Sequence, residues 1–133
     1  MIAYVDTSAA IKLLVDEDGS DAMHDVLRTW PDDATLCSSM LVFTELMCAA
    51  DRRGLDSCYA SSFLQALVLY DLTKSDFLQA GESRWGLRGA DALHLAAARR
   101  MGADAMFTYD AELATAARNL GVTVMSPGVA DSD

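Results

Sequence analysis

Short apolar runs alternate with longer amphipathic stretches along this chain, and the alternation predicts strands joined by helices. Ile2-Ala-Tyr-Val5 is a buried-strand signal that ends at Asp6. Ser8 is placed to cap a helix to about Val15, with Ile11, Leu14 and Val15 facing inward. The polar segment 16–21 breaks the pattern, and a helix then runs to about Trp30, where Pro31 stops it. Thr35-Leu-Cys-Ser38 predicts a second strand. Between Met40 and Ala50 only Thr44 and Glu45 are polar, which predicts a buried helix closed near Gly54. A further helix spans about Leu55 to Leu67, and Val68 to Leu72 predicts a third strand. Thr73 and Asp76 stand in capping-box spacing at the head of a helix reaching about Trp85. Gly89-Ala-Asp91 opens a helix to Met101, with Gly102 fit for its C′ position and Arg99 and Arg100 in its last turn. Ala105-Met-Phe107 and Val122-Thr-Val124 predict two more strands around a helix from about Asp110 to Leu120.

Strands alternating with helices imply an α/β fold, a parallel sheet covered on both faces. No repeat or linker interrupts it, so residues 1–126 read as one domain and 127–133 as a loose tail. The length of 133 residues allows a real core, and 52% hydrophobic residues exclude a disordered chain. Charged residues interrupt every apolar stretch before it reaches the ~20 residues of a membrane span. The start lacks the basic region of a signal peptide, so a cytoplasmic protein is expected. Cys37, Cys48 and Cys58 form no C-x-x-C pair and lie among apolar or small residues, which predicts buried free thiols. Twenty acids against ten bases give a net charge of −10, which repels nucleic acid at long range and favours cations.

The candidate chemistry lies in carboxylates set among apolar residues. Asp6 follows an apolar strand, Glu45 interrupts an apolar helix, Asp91 heads Ala92-Leu-His-Leu-Ala-Ala-Ala98, and Asp110 follows Met106-Phe-Thr-Tyr109. A buried carboxylate without a partner is costly or becomes protonated, and a divalent cation neutralises several at once. Asp6 and Asp110 fall at the carboxyl ends of predicted strands, where open α/β sheets bind ligands. The plainer readings are that Asp110 caps the last helix, Asp91 faces a helix dipole, Asp6 caps a turn and Glu45 lies at a rim or in an ion pair. Asp16, Glu17, Asp18 and Asp21 read as a solvated loop. His94, one turn after Asp91, reads most simply as a packed helix histidine, or else as a neighbour of the acids; His24 reads as surface. Ser8 and Thr108 either bond a ligand or satisfy turn backbone. No phosphate-cradling loop or nucleophile elbow is present. A phosphoryl-transfer receiver or phosphatase using Asp6 ranks last, because Asp6 has no adjacent acid and no Lys follows Lys74.

Tyr4-Val-Asp-Thr-Ser-Ala9 with Lys12, Thr44-Glu-Leu46, Gly89-Ala-Asp-Ala-Leu-His-Leu-Ala-Ala97 and Phe107-Thr-Tyr-Asp110 together resemble the four ordered motifs of PIN-domain ribonucleases, especially VapC-type toxins. The resemblance departs at Met40, where many relatives carry a basic residue. It implies a PIN-like domain with a five-stranded parallel sheet flanked by helices on both faces. It also implies a Mg²⁺- or Mn²⁺-dependent endoribonuclease, the toxin of a type II toxin–antitoxin system. Asp6, Glu45, Asp91 and Asp110 are then its metal-site and catalytic acids, structured RNA its substrate, and an antitoxin with a basic segment its partner. Relatives are commonly homodimers, for which the helices between Met40 and Leu67 offer an apolar face. Lys12, Arg52, Arg53, Arg84 and Arg88 are the candidate RNA contacts. A PIN-like binding module without catalysis is the alternative.

Overall fold

Residues 1–129 are described by a computed structural model. In chain order the elements are β1 (Ile2–Val5), α1 (Thr7–Ile11), α2 (Ser20–Arg28), β2 (Thr35–Ser39), α3 (Met40–Arg52), α4 (Ser57–Ala66), β3 (Val68–Tyr70), α5 (Lys74–Glu82), α6 (Gly89–Arg100), β4 (Ala105–Phe107), α7 (Ala111–Asn119) and β5 (Thr123–Met125). All strand pairs are parallel, in the order β3-β2-β1-β4-β5.

Strand alternation splits the core in two. Ala3 and Val5 of β1, with Ala105 and Phe107 of β4, pack against Ala9, Met23, Val42, Leu46 and Leu64 from α1 to α4. Tyr4 and Met106 point the other way, onto Leu95, Ala98, Leu113 and Ala117 of α6 and α7. α5 packs on α6. From central β1 the chain builds outward through β2 and β3, then crosses to β4 and β5 on the opposite side. The strand order therefore reverses between β1 and β4, and the carboxyl ends of these two strands border the crevice where such sheets bind ligands.

Several local expectations are corrected. Asp6, not Ser8, caps α1, accepting from the Ala9 amide at 2.9 Å. That helix is short because residues 12–14 tighten into i→i+3 turns. Ser20 and Asp21, expected in a loop, begin α2 after Gly19, whose φ of 90° is left-handed. α3 is buried on one side only, since Met40, Phe43 and Cys48 are exposed. Only Cys37 is a buried thiol, and burial pushes it up to about 11, whereas Cys48 and Cys58 are exposed free thiols on the outer sides of α3 and α4. At the start of the expected loose tail, the Pro127 carbonyl accepts from the Tyr109 hydroxyl at 2.7 Å and Gly128 abuts Gly19 and Ala22. Residues 130–133 of that tail lie outside the described residues.

The expected capping box on α5 is present, and its buried Asp76 also pairs with the exposed Arg100. The Thr73 amide donates to Asp76 Oδ2 at 2.9 Å, while Arg100 Nε donates to Asp76 Oδ1 at 2.8 Å. Arg100 thus joins the end of α6 to the start of α5 rather than only complementing a dipole, and it also donates to the Asp71 carbonyl. Burial pushes the Asp76 carboxyl up, but Arg100 and the Thr73 amide outweigh it and hold it below its usual range. A depressed folded-state pKa contributes stability above the unfolded value of about 3.9, and that stability is lost as pH falls through the folded value. Asp76→Ala should therefore cost about 1–3 kcal/mol at neutral pH. The deficit should shrink below about pH 4. Urea unfolding of both proteins across this range checks it; a deficit independent of pH contradicts it.

Candidate active site

Asp6 extends the β1–β4 ladder by one residue, its amide donating to the Phe107 carbonyl at 3.1 Å, before the chain turns into α1. Its buried carboxylate holds the loops after β1 and β4 together. Oδ1 accepts from the Ala9 amide and from the Ser8 hydroxyl at 2.7 Å, and Oδ2 accepts from Thr108 Oγ1 at 2.6 Å. Ser8 Oγ in turn accepts from the Tyr109 amide, and Thr108 Oγ1 from the Asp110 amide. Burial raises the Asp6 carboxyl above its ordinary range, against the opposing influence of His94 and these donors. Ser8 and Thr108 therefore satisfy both the turn backbone and the buried Asp6 carboxylate.

Glu45 lies on the second turn of α3, which starts directly after β2 and so rises from the carboxyl edge of the sheet. Its Oε1 accepts from the Thr7 hydroxyl at 2.6 Å and from His94 Nε2 at 2.7 Å. Burial pushes Glu45 up, yet these two bonds draw it below its ordinary value. His94 is buried, as a packed helix histidine should be, but it is not inert. Its Nδ1 meets the Tyr4 hydroxyl at 2.6 Å, and that hydroxyl meets Ser39 Oγ at 2.9 Å.

Asp91 occupies the first turn of α6, and Asp110 caps α7, its Oδ1 accepting from the Leu113 amide at 2.8 Å. Burial raises the Asp91 carboxyl first, and the negative charges of Asp110, Asp6 and Glu45 raise it further against His94. Asp110, Asp6 and Glu45, drawn from distant segments, thus all act on Asp91. Among the described residues no Lys or Arg pairs with any of these four acids.

A carboxylate offers about four lone-pair sites. Oδ1 of Asp6 is used twice and Oδ2 once; Oε2 of Glu45, Oδ2 of Asp110 and both oxygens of Asp91 have no hydrogen-bond partner among the described residues. This hard, anionic, oxygen-only donor set fits Mg²⁺ or Mn²⁺. Among the described residues no three His, Cys, Asp or Glu groups form a set placed to hold a metal ion. Mg²⁺ does not demand three such groups, because it commonly binds through one or two carboxylates and keeps several waters.

The candidate cations divide. Lys12 pairs with Glu17 at 3.2 Å and lies over the Tyr109 ring. Arg52 and Arg53 end α3, about 10 Å of helix rise beyond Glu45 and away from the sheet's carboxyl edge. Arg84 and Arg88 are exposed on the loop that leads into α6 and Asp91. Thr7, Tyr4 and Ser39 escape the sequence reading; the only signal was spacing, since Tyr4 shares strand parity with Asp6 and His94 is one turn from Asp91.

A model of the PIN domain matches residues 3–119, which contain all four acids. The chain belongs to the PIN-domain family. Its PIN-domain relatives include ribonuclease VapC46 of Mycobacterium tuberculosis, 38% identical over 130 residues that cover 93% of this chain and 96% of the relative. Ribonuclease VapC35 of the same species is 32% identical, with 96% and 98% covered. Among solved structures, VapC20 of M. tuberculosis, a toxin that cleaves the sarcin–ricin loop, superposes with a TM-score of 0.72 at 18% identity, covering 86% of this chain and 94% of that one. VapBC2 of Rickettsia felis, bound to a DNA fragment from its promoter, gives 0.73 at 18% identity, covering 94% and 98%. These two likenesses concern the fold. Among the described residues no helix is long and apolar enough to cross a membrane.

Proposed function

We propose that this PIN domain is a divalent-metal-dependent endoribonuclease and the toxin of a toxin–antitoxin pair. The observation that carries the reading is that Asp110, Asp6 and Glu45 all act electrostatically on Asp91, with unused carboxylate oxygens and, among the described residues, no Lys or Arg paired with any of the four. The ribonuclease relatives at 38% and 32% identity support the reaction class.

A divalent ion held by these acids supplies the positive charge that a phosphodiester's developing negative charge needs, and lowers the pKa of water. The chain's own residues do the rest. Asp6, fixed by Ser8, Thr108 and the Ala9 amide, anchors the ion at the base of the crevice. Glu45 contributes Oε2 from α3 and Asp110 contributes Oδ2 from the cap of α7. Asp91, without a hydrogen bond and with a raised pKa, is the group suited to take a proton from attacking water. With a net charge of −10 the domain attracts RNA poorly from a distance, so a structured RNA is held by short contacts from Arg84 and Arg88 beside the site. The same surplus suits an antitoxin whose basic segment enters the crevice. A second copy would cover the exposed Met40, Phe43 and Tyr59 of α3 and α4.

Incubating the purified protein with structured RNA in chelator, Mg²⁺ and Mn²⁺ tests the reading. Internal cuts should appear only with metal. Intact RNA in all three, with the protein folded, would instead assign a binding module without catalysis.

A further inference from the structure

His94 is a buried polar group that the acid cluster alone does not explain. Its two ring nitrogens have different partners, so its tautomer follows from them. Nε2 faces the Glu45 carboxylate at 2.7 Å and carries the proton. Nδ1 then accepts from the Tyr4 hydroxyl at 2.6 Å, and the Tyr4 oxygen accepts from Ser39 at 2.9 Å. Every donor in the chain Ser39–Tyr4–His94–Glu45 has an acceptor. Tyr4 and His94 are 0% and 1% exposed, so water does not compete for these bonds. Their rings also meet edge to face at 5.6 Å. The chain runs from the end of β2 through β1 and α6 to α3.

We infer that Ser39, Tyr4 and His94 form a positioning relay that, with Thr7, occupies Oε1 of Glu45 and so presents Oε2 alone to the metal. This rests on the proposed role of Glu45 as a ligand. Oε1 has both lone-pair directions engaged, by Thr7 and by His94, and no hydrogen bond reaches Oε2 among the described residues. A carboxylate held in this way cannot rotate away from the crevice without breaking two short bonds. Oriented outer partners of this kind typically alter metal affinity or activity about 10–100-fold when removed.

The test uses two substitutions of similar bulk. In His94→Gln the amide nitrogen falls near the Nε2 position and keeps the bond to Glu45. In His94→Asn it falls near Nδ1, facing Tyr4, and leaves Glu45 held by Thr7 alone. Mn²⁺ affinity is read without RNA, by paramagnetic resonance of free ion, and kcat and KM are read separately on RNA. His94→Asn should weaken Mn²⁺ binding about tenfold or more and lower kcat with little change in KM for RNA. His94→Gln should stay within about threefold of wild type, as its retained donor requires. If His94→Asn does not fold, Tyr4→Phe carries the test, with a smaller loss of Mn²⁺ affinity expected and no loss overturning the relay. Equal Mn²⁺ affinity in folded His94→Asn, His94→Gln and wild type overturns the relay alone. A wild-type protein that binds no Mn²⁺ overturns the relay and the ligand role of Glu45 together.

Discussion

Asp6→Asn should reduce RNA cleavage by about a thousandfold while the domain stays folded, because several kcal/mol of transition-state stabilisation are lost with the anchoring charge. The substitution is nearly isosteric, and its hydrogen bonds can be re-formed. The new carbonyl oxygen replaces Oδ1 and still accepts from the Ala9 amide and Ser8. The new amide nitrogen replaces Oδ2 and donates to Thr108 Oγ1. That hydroxyl has two lone pairs, one already used by the Asp110 amide, and its proton can turn to Ser8 Oγ at 3.3 Å. The change therefore removes charge and little packing. Turnover measured at saturating Mn²⁺, with thermal melts of both proteins, separates lost chemistry from lost fold. Cleavage within tenfold of wild type would remove Asp6 from the mechanism.

Asp91→Asn should have two opposite effects: cleavage is lost, and the metal-free protein melts at a higher temperature. Asp91 lies in the first turn of α6, where the helix dipole favours a negative charge by about 0.3–1 kcal/mol. Burial and the charges of Asp110, Asp6 and Glu45 act against it, and the raised pKa of its carboxyl records that they win. A group whose folded-state pKa is raised contributes stability that is present below its unfolded value and lost as pH rises through the folded one. At neutral pH the Asp91 charge is therefore a net cost to the metal-free fold, and a neutral amide removes it. Melting in chelator at neutral pH gives the sign directly. A variant that melts lower than wild type there contradicts the account of mutual repulsion.

The two predictions share one design. On the proposed reading, carboxylates that repel one another cost the metal-free fold stability, and a bound cation would restore it. At a hundredfold excess over its dissociation constant a ligand contributes about 2.7 kcal/mol.

The sequence was most legible where a single physical rule governs a segment. The apolar run Ile2–Val5 ends at an acid because the strand ends there, and the four acids stand out because each interrupts an apolar context. Strand alternation located the sheet, and the Thr73–Asp76 spacing located a capping box that is present. Other features depend on partners far away in sequence. Arg100 is adjacent to the end of its helix, but its partner Asp76 is 24 residues earlier, and no local pattern joins them. Tyr4 and His94 are 90 residues apart and Ser39 belongs to a third element, so their chain of hydrogen bonds exists only once β1, β2 and α6 are stacked. The partial exposure of α3 was hidden for a similar reason. Met40, Phe43 and Cys48 read as core by composition, and only the position of the sheet decides which side of the helix it covers.

Calorimetric titration of the wild-type protein and Asp91→Asn with Mn²⁺, without RNA, addresses the shared carboxylate site most directly. Saturable binding to wild type that is lost or weakened at least about tenfold in the variant is the predicted result. Identical isotherms for the two proteins, or none for the wild type, would contradict it.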